Sequence, residues 1–224
     1  AAPRASGSAA MTVLALDGAL GAFSAAIADD RGLLAQRRED GKRALESGLA
    51  AVATLMQEAG IDRFALTRIA VGTGPGGFTG LRIAISYAKA LALAWRIPLV
   101  PITSFDLLEG ERRRERALAV VAGRPGIIYA RFRDGDAETR AGGATAEVLA
   151  RLPLPAGRIP VFGAPEDALA VLAERGIDVE SIAAPACPAS VAALIARARE
   201  PAPGPHGVRP DYGELPAAKV PRFS

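Results

Sequence analysis

The sequence is poor in the side chains that most catalytic sites use. It has one cysteine, Cys187, and one histidine, His206. A single thiol excludes an internal disulfide and fits a reducing compartment, so a cytoplasmic location is expected. A single imidazole excludes a histidine pair for metal, and no metal site is expected. A serine–histidine–aspartate triad would depend on His206, set between Pro205 and Gly207. No Gly-x-Ser-x-Gly elbow is present to supply its nucleophile. Cys187 lies between Ala186 and Pro188 with no base beside it, which argues against a thiolate nucleophile.

Lysine is scarce as well. Only Lys42, Lys89 and Lys219 occur, and the net charge of +3 rests on arginine. The one dense basic run, Arg112-Arg113-Arg114 with Arg116, is interleaved with Glu109, Glu111 and Glu115. Mixed signs at helical spacing read as a solvated helix face. No aromatic residues accompany the run, which argues against a nucleic-acid site there. Long apolar runs are also missing. The best candidate, Leu81 to Trp95, is interrupted by Arg82 and Lys89, so no membrane span is expected. Residues 1–10 are small and polar without the apolar stretch of a signal peptide, and they are left out of the fold reasoning.

What is present is apolar bulk and punctuation. Half of the 224 residues are hydrophobic, enough to fill one large core or two small ones. Two short apolar runs, 12–16 and 22–28, and a third strand-like segment, 33–38, are separated by Asp17-Gly18 and by Asp29-Asp30-Arg31-Gly32. They read as an antiparallel meander. Leu45, Leu49, Val52, Met56 and Ala59 then recur at helical spacing, and Gly60 stops the helix. A strand over 68–71, a glycine-rich loop, a helix over 79–95 and a strand over 99–102 follow. Ser104 is the expected cap of a third helix reaching about Arg116. The order βββαβαβα is that of an α/β, ribonuclease H-like fold of the actin/Hsp70 type, with two small lobes and mixed sheets. The second half predicts strands at 117–121, 127–132 and 159–162, and helices at 145–152, 166–174 and 190–200. The proline-rich tail, 201–224, cannot form regular structure and must drape over the body or stay mobile. The expected division is 11–108 for the first lobe and 109–200 for the second. No internal sequence repeat is visible.

The loop reads Gly72-Thr73-Gly74-Pro75-Gly76-Gly77-Phe78-Thr79-Gly80-Leu81-Arg82. It lies between a strand and a helix N-terminus, where backbone N–H groups favour anions. A phosphate cradle and a tight connection that needs glycine are both open readings. It is not a Walker A loop, because no Gly-Lys-Ser/Thr follows. It is not a dinucleotide fingerprint either, because the next strand lacks the ribose-binding acid. Asp17 ends the first strand, where actin-like ATPases hold magnesium, but Gly18 after it favours a turn aspartate. In the helix after the loop, Arg82, Ser86 and Lys89 form one narrow polar stripe. The rest is apolar or alanine, so the helix needs cover on more than one face. Ala84, Ala88 and Ala92, spaced by four, would admit a neighbouring helix closely. A protein–protein interface is favoured over a helix enclosed within its own domain.

The string from Gly72 to Ile83 closely resembles the G-x-GPGSFTG-[VL]-R-[IV] signature of the TsaB (YeaZ) family. Leu14-Ala15-Leu16-Asp17, Ala88–Ala92, Ile97–Val100 and Thr103-Ser104 also match, so the resemblance is strong over residues 12–108. The catalytic TsaD paralogues share a related string, but they are longer and carry a metal-binding histidine pair. The resemblance implies an accessory subunit, not an enzyme, in threonylcarbamoylation of adenosine 37 of tRNA. It implies a heterodimer with a TsaD-type partner, a further TsaE-type ATPase, and tRNA met through the complex. It also implies a homodimer when alone, and ATP or ADP, if any, at the partner interface. The implied contact surface takes Leu45, Leu49, Val52 and Met56 from the first helix, and Leu81, Ala84, Ile85, Ala88 and Ala92 from the second. The family pattern is not complete. Gly18 stands in place of threonine, Ala44–Ser47 replaces a His-Ser-Glu motif, and Ala122 stands where a strand opens with aspartate. Pro210-Asp211-Tyr212-Gly213-Glu214 lacks the arginine of the C-terminal motif.

Overall fold

The first three strands are β1 (Val13–Asp17), β2 (Phe23–Asp29) and β3 (Gly32–Glu39). They follow from two apolar runs and a mixed third segment, broken by two turns, in a computed structural model that describes residues 11–40 and 47–213. The first turn reverses at Gly21 with φ +106°, and the second at Gly32 with φ +135°. Both values lie in the left-handed half of backbone space that glycine enters without strain. The Asp29 carboxylate accepts the Arg31 N–H at 2.8 Å and tightens the second turn.

The chain then crosses over twice. Helix α1 (Gly48–Glu58) leads to β4 (Arg68–Gly72), and α2 (Phe78–Trp95) leads to β5 (Leu99–Ile102). Both new strands are parallel to β1, giving the order β3-β2-β1-β4-β5. After α3 (Ser104–Glu109) the same wiring recurs. Strands β6 (Arg116–Ala122), β7 (Ile127–Asp134) and β8 (Ala137–Ala144) form a second meander. Helix α4 (Thr145–Arg151), β9 (Arg158–Phe162), α5 (Glu166–Glu174) and β10 (Asp178–Ile182) complete it, in the order β10-β9-β6-β7-β8. Helix α6 (Pro188–Ile195) follows.

Side-chain alternation sorts the cores. Along β1, Leu14 and Leu16 meet α1 and α2, while Val13 and Ala15 meet α6. Along β6, Leu118 and Val120 meet α4 and α5, while Ala117, Ala119 and Val121 meet α3. The central strands are apolar on both faces because both faces are covered.

Several sequence expectations need correction. The stretch 109–200 does not form one unit, because α6 returns to pack on the first sheet. The third helix ends at Glu109, where Gly110 takes φ +52°. Its cap is Thr103, whose hydroxyl accepts the Asp106 N–H at 3.1 Å. The arginine run therefore does not continue the helix: Arg112 closes a 3₁₀ turn over Gly110–Arg112, Arg113 and Arg114 are irregular, and Arg116 opens β6. The helix expected over 190–200 spans Pro188–Ile195 and closes in a 3₁₀ turn. Leu45 lies outside the described residues. Strands β8 and β10 are additional to the expected set. The tail drapes as far as Gly213: Ala202 N–H donates to Leu99, Asp211 N–H donates to Thr73, and Val208 is buried. No helix among the described residues is long and apolar enough to cross a membrane.

A buried ion cluster joins the two sheet units. Arg131 on β7 donates to Asp106 and Glu109 of α3, each at 2.8 Å. Arg133 grips both oxygens of Glu109 at 2.8 and 2.7 Å. Arg199 reaches Asp106 at 3.3 Å. Burial works to raise the Asp106 carboxyl, but Arg131 and Arg199 outweigh it and hold it below its ordinary range. Stability from Asp106 is therefore present above the ordinary carboxylate pKa and lost as pH falls. Glu109→Ala leaves two buried guanidinium groups without their shared partner. It should lower unfolding free energy by about 3–5 kcal/mol, read from the denaturant midpoint.

Candidate functional site

The glycine-rich loop leaves β4 at Gly72 and enters α2 at Phe78. Four of its polar groups, the Thr73 N–H and hydroxyl, the Gly74 carbonyl and the Gly77 N–H, are bonded within the chain. Thr73 N–H and its hydroxyl both donate to Ile102 carbonyl, at 2.8 and 3.1 Å. Ser104 N–H donates to Gly74 carbonyl at 2.7 Å, and Gly77 N–H donates to Ala19 carbonyl at 2.8 Å.

The β1–β2 turn packs directly against the loop. A Cβ on Gly76 would lie 2.2 Å from the Ala19 carbonyl oxygen. At Gly80 it would lie 2.1 Å from the Gly18 oxygen, and at Gly18 it would lie 2.5 Å from the Gly80 oxygen. These glycines permit backbone to touch backbone, so they serve a tight connection. Of the two readings left open by the sequence, the geometry favours the connection over the cradle. A cleft of about 360 Å³ opens beside the loop, lined by Phe105, Tyr129, Arg140 and Asp211 among others. The loop residue that reaches it is Pro75, which has no N–H to offer.

Asp17 sits at the end of β1, wholly buried. Its Oδ2 accepts Leu20 N–H at 3.1 Å and so pins the turn. Its Oδ1 has no partner and faces Gly72, where a Cβ would lie 1.9 Å away. Burial pushes the carboxyl up to about 6, against the opposing pull of the Leu20, Ala19 and Gly18 N–H groups. The turn role expected from Gly18 is present, and it comes with a buried acid. No group of three His, Cys, Asp or Glu suited to a metal occurs among the described residues. Cys187 is buried, which pushes its thiol up, and its Sγ lies 3.9 Å from Arg37 carbonyl. His206 sits in a 3₁₀ turn of the tail.

The rim of the loop is exposed. Phe78 stacks on Tyr212 with ring centroids 5.1 Å apart, and the Arg82 guanidinium lies 5.2 Å from the Phe78 centroid. Thr79 is exposed beside them.

The contact residues expected on α2 are not where a partner could reach them. Leu81, Ala84, Ile85, Ala88 and Ala92 are 0–4% exposed and pack on the first sheet. Val52 of α1 is also core, Met56 is half-buried, and of the expected α1 residues that the structure describes only Leu49 is exposed. The small residues bring α2 close to its own sheet, not to another molecule. The outer face instead carries Thr79, Ile83, Ser86, Ala90 and Leu93 of α2, with Leu49, Ala50, Ala53 and Thr54 of α1. The periodicity held the clue. Leu81, Ala84, Ala88 and Ala92 form one complete core stripe, so Ile83 and Leu93 are apolar residues left over on the opposite side.

Two five-strand units of identical wiring, joined side by side, define a two-lobed protein of the actin-like, ribonuclease H-like class. The family model described as "TsaD: tRNA N6-adenosine threonylcarbamoyltransferase" matches residues 41–186. An uncharacterized protein of Mycobacterium tuberculosis H37Rv is 33% identical over 164 residues, 70% of this chain and 74% of that one. The "tRNA threonylcarbamoyladenosine biosynthesis protein TsaB" of Escherichia coli is 31% identical over 123 residues, 53% of each chain. The structure of YeaZ from Pseudomonas aeruginosa superposes with a TM-score of 0.72 and 24% identity, over 90% of this chain and 99% of that chain. The chain belongs to the TsaB (YeaZ) family.

Two outcomes test this geometry. Because the Asp17 carboxyl is raised, the folded state binds the extra proton between pH 3.8 and about 6. Its contribution to stability should fall by about 3 kcal/mol as pH rises through that window, and Asp17→Asn should abolish the slope. Ala88→Glu buries a carboxylate against the first sheet and should unfold the protein, seen as loss of the circular dichroism signal.

Proposed function

We propose that this chain is a non-catalytic subunit in the making of threonylcarbamoyladenosine at position 37 of tRNA. In this reading it binds and activates a TsaD-type catalytic partner through the outer face of α1 and α2. The observation that carries the reading is that face, which is uncharged along its centre and exposes Leu49 at 43% and Leu93 at 49%. Exposed leucines set among small side chains are a surface that gains by being covered. The tight packing of the glycine loop on the β1–β2 turn supports an accessory role, since the glycines there serve the connection. ATP or ADP then belongs to the joint interface with the partner. The TsaE-type ATPase and the tRNA are met through the complex.

A second reading is favoured by Asp17, a buried strand-end acid with one free oxygen. It is that of a small ATPase acting alone.

One set of measurements separates the two. This chain mixed with the TsaD-type paralogue from the same source should elute as a one-to-one complex, sized by light scattering. Leu93→Asp should weaken that complex by about 2 kcal/mol or more with an unchanged circular dichroism spectrum. ATP turnover by the isolated chain, lost in Asp17→Ala, would replace the subunit reading with the second one.

A further inference from the structure

Helix α2 contains no Asp or Glu at all, while Arg82 and Lys89 stand one heptad, two helical turns, apart on the same side of its outer seam. The seam runs through Thr79, Ile83, Ser86, Ala90 and Leu93, alternating steps of four and three, the spacing at which two helices interlock. Arg82 and Lys89 flank it throughout. Arg82 is exposed and Lys89 half-buried, and neither has an ion-pair partner among the described residues. The first turn of α2 carries no acidic residue and its Gly77 cap makes no side-chain hydrogen bond. The positive end of the helix dipole therefore adds to the charge of Arg82. On α1 the only charge is Glu58, and it is taken by Arg37 of β3. Two hydroxyls on the face, Ser86 and Thr54, do not resist burial. Ser86 donates to Arg82 carbonyl at 2.7 Å, and Thr54 donates to Ala50 carbonyl at 3.1 Å.

We propose that Arg82 and Lys89 choose the occupant of this face: it accepts a helix that carries carboxylates beside a small-residue seam, and it disfavours a second copy of this chain. The inference rests on the docking reading given above. Two copies face to face bring four cations into one interface and no free carboxylate from α1 or α2. Like charges brought together while water is being removed oppose association, and opposite charges favour it. The expected homodimer is therefore the weaker state, and an acidic-flanked paralogue is the stronger.

The test compares wild type, R82Q/K89Q and Leu93→Asp by sedimentation, alone and with the TsaD-type paralogue, at low and high salt. Removing the charges should tighten self-association and weaken the mixed complex, each by about tenfold at low salt. Added salt should move wild type in the same two directions, because it screens both effects. If R82Q/K89Q and salt leave both associations unchanged while Leu93→Asp disrupts them, the charge selection is wrong and the docking face stands. If Leu93→Asp also changes neither association, the docking reading falls and the inference goes with it.

Discussion

The fold turns on a place where two stretches of backbone touch with nothing between them. The turn after β1 and the start of α2 meet at Gly18 and Gly80, so closely that a single methyl on either would collide with the other's carbonyl. That contact fixes how α2 lies on the sheet. With its first turn seated there, the helix lays Leu81, Ala84, Ala88 and Ala92 on β1 and β4. The opposite face is then committed to solvent. The same contact packs the β1–β2 turn against the glycine-rich loop, so one close approach sets both the shape of the loop and the face that α2 presents.

Much of this was legible in the sequence. The first meander, the two crossovers and the glycine loop have strong signals, because turn residues and periodicity agree there. The strands β8 and β10 were not legible. Both lie at sheet edges, and Ala-Glu-Thr-Arg-Ala-Gly-Gly-Ala and Asp-Val-Glu-Ser-Ile are mostly exposed, so no apolar alternation marks them. The end of α3 was misjudged because a run of alternating charges mimics helical spacing, while the left-handed Gly110 decides the matter. The phase of α2 was misjudged for a related reason. Alanines at spacing four allow close approach, but sequence does not say whether a sheet or another helix makes it. The Asp17 environment combines residues far apart in the chain, and only the fold brings Gly72 against its carboxyl.

The two units repeat the same wiring without a matching sequence, which means the pattern of turns and buried strands is retained while the side chains differ. Between the sheets, α3 and α6 are each pressed on a flat apolar face, and the ion cluster of Arg131, Arg133, Asp106 and Glu109 ties α3 to the second sheet. Its Asp106 carboxylate is held charged by guanidinium groups, whereas Asp17 is an acid that burial pushes toward its neutral form. Acid therefore loosens one junction of the molecule and relieves the other.

The return of α6 and the tail to the first sheet has a consequence for how the chain is made. Strands β1 to β5 are synthesised early, yet the layer over Val13, Ala15 and Val100 comes from Ala189, Ala192 and Ala193. The open side of β5 is bonded only when Ala202 arrives. During translation the second unit, whose sheet closes between residues 116 and 182, has its strands in hand before the first unit has all its cover. Domains that finish in order of synthesis are protected as they emerge. Here the first of the two sheets must wait with one apolar face bare until Pro188–Ile195 has left the ribosome.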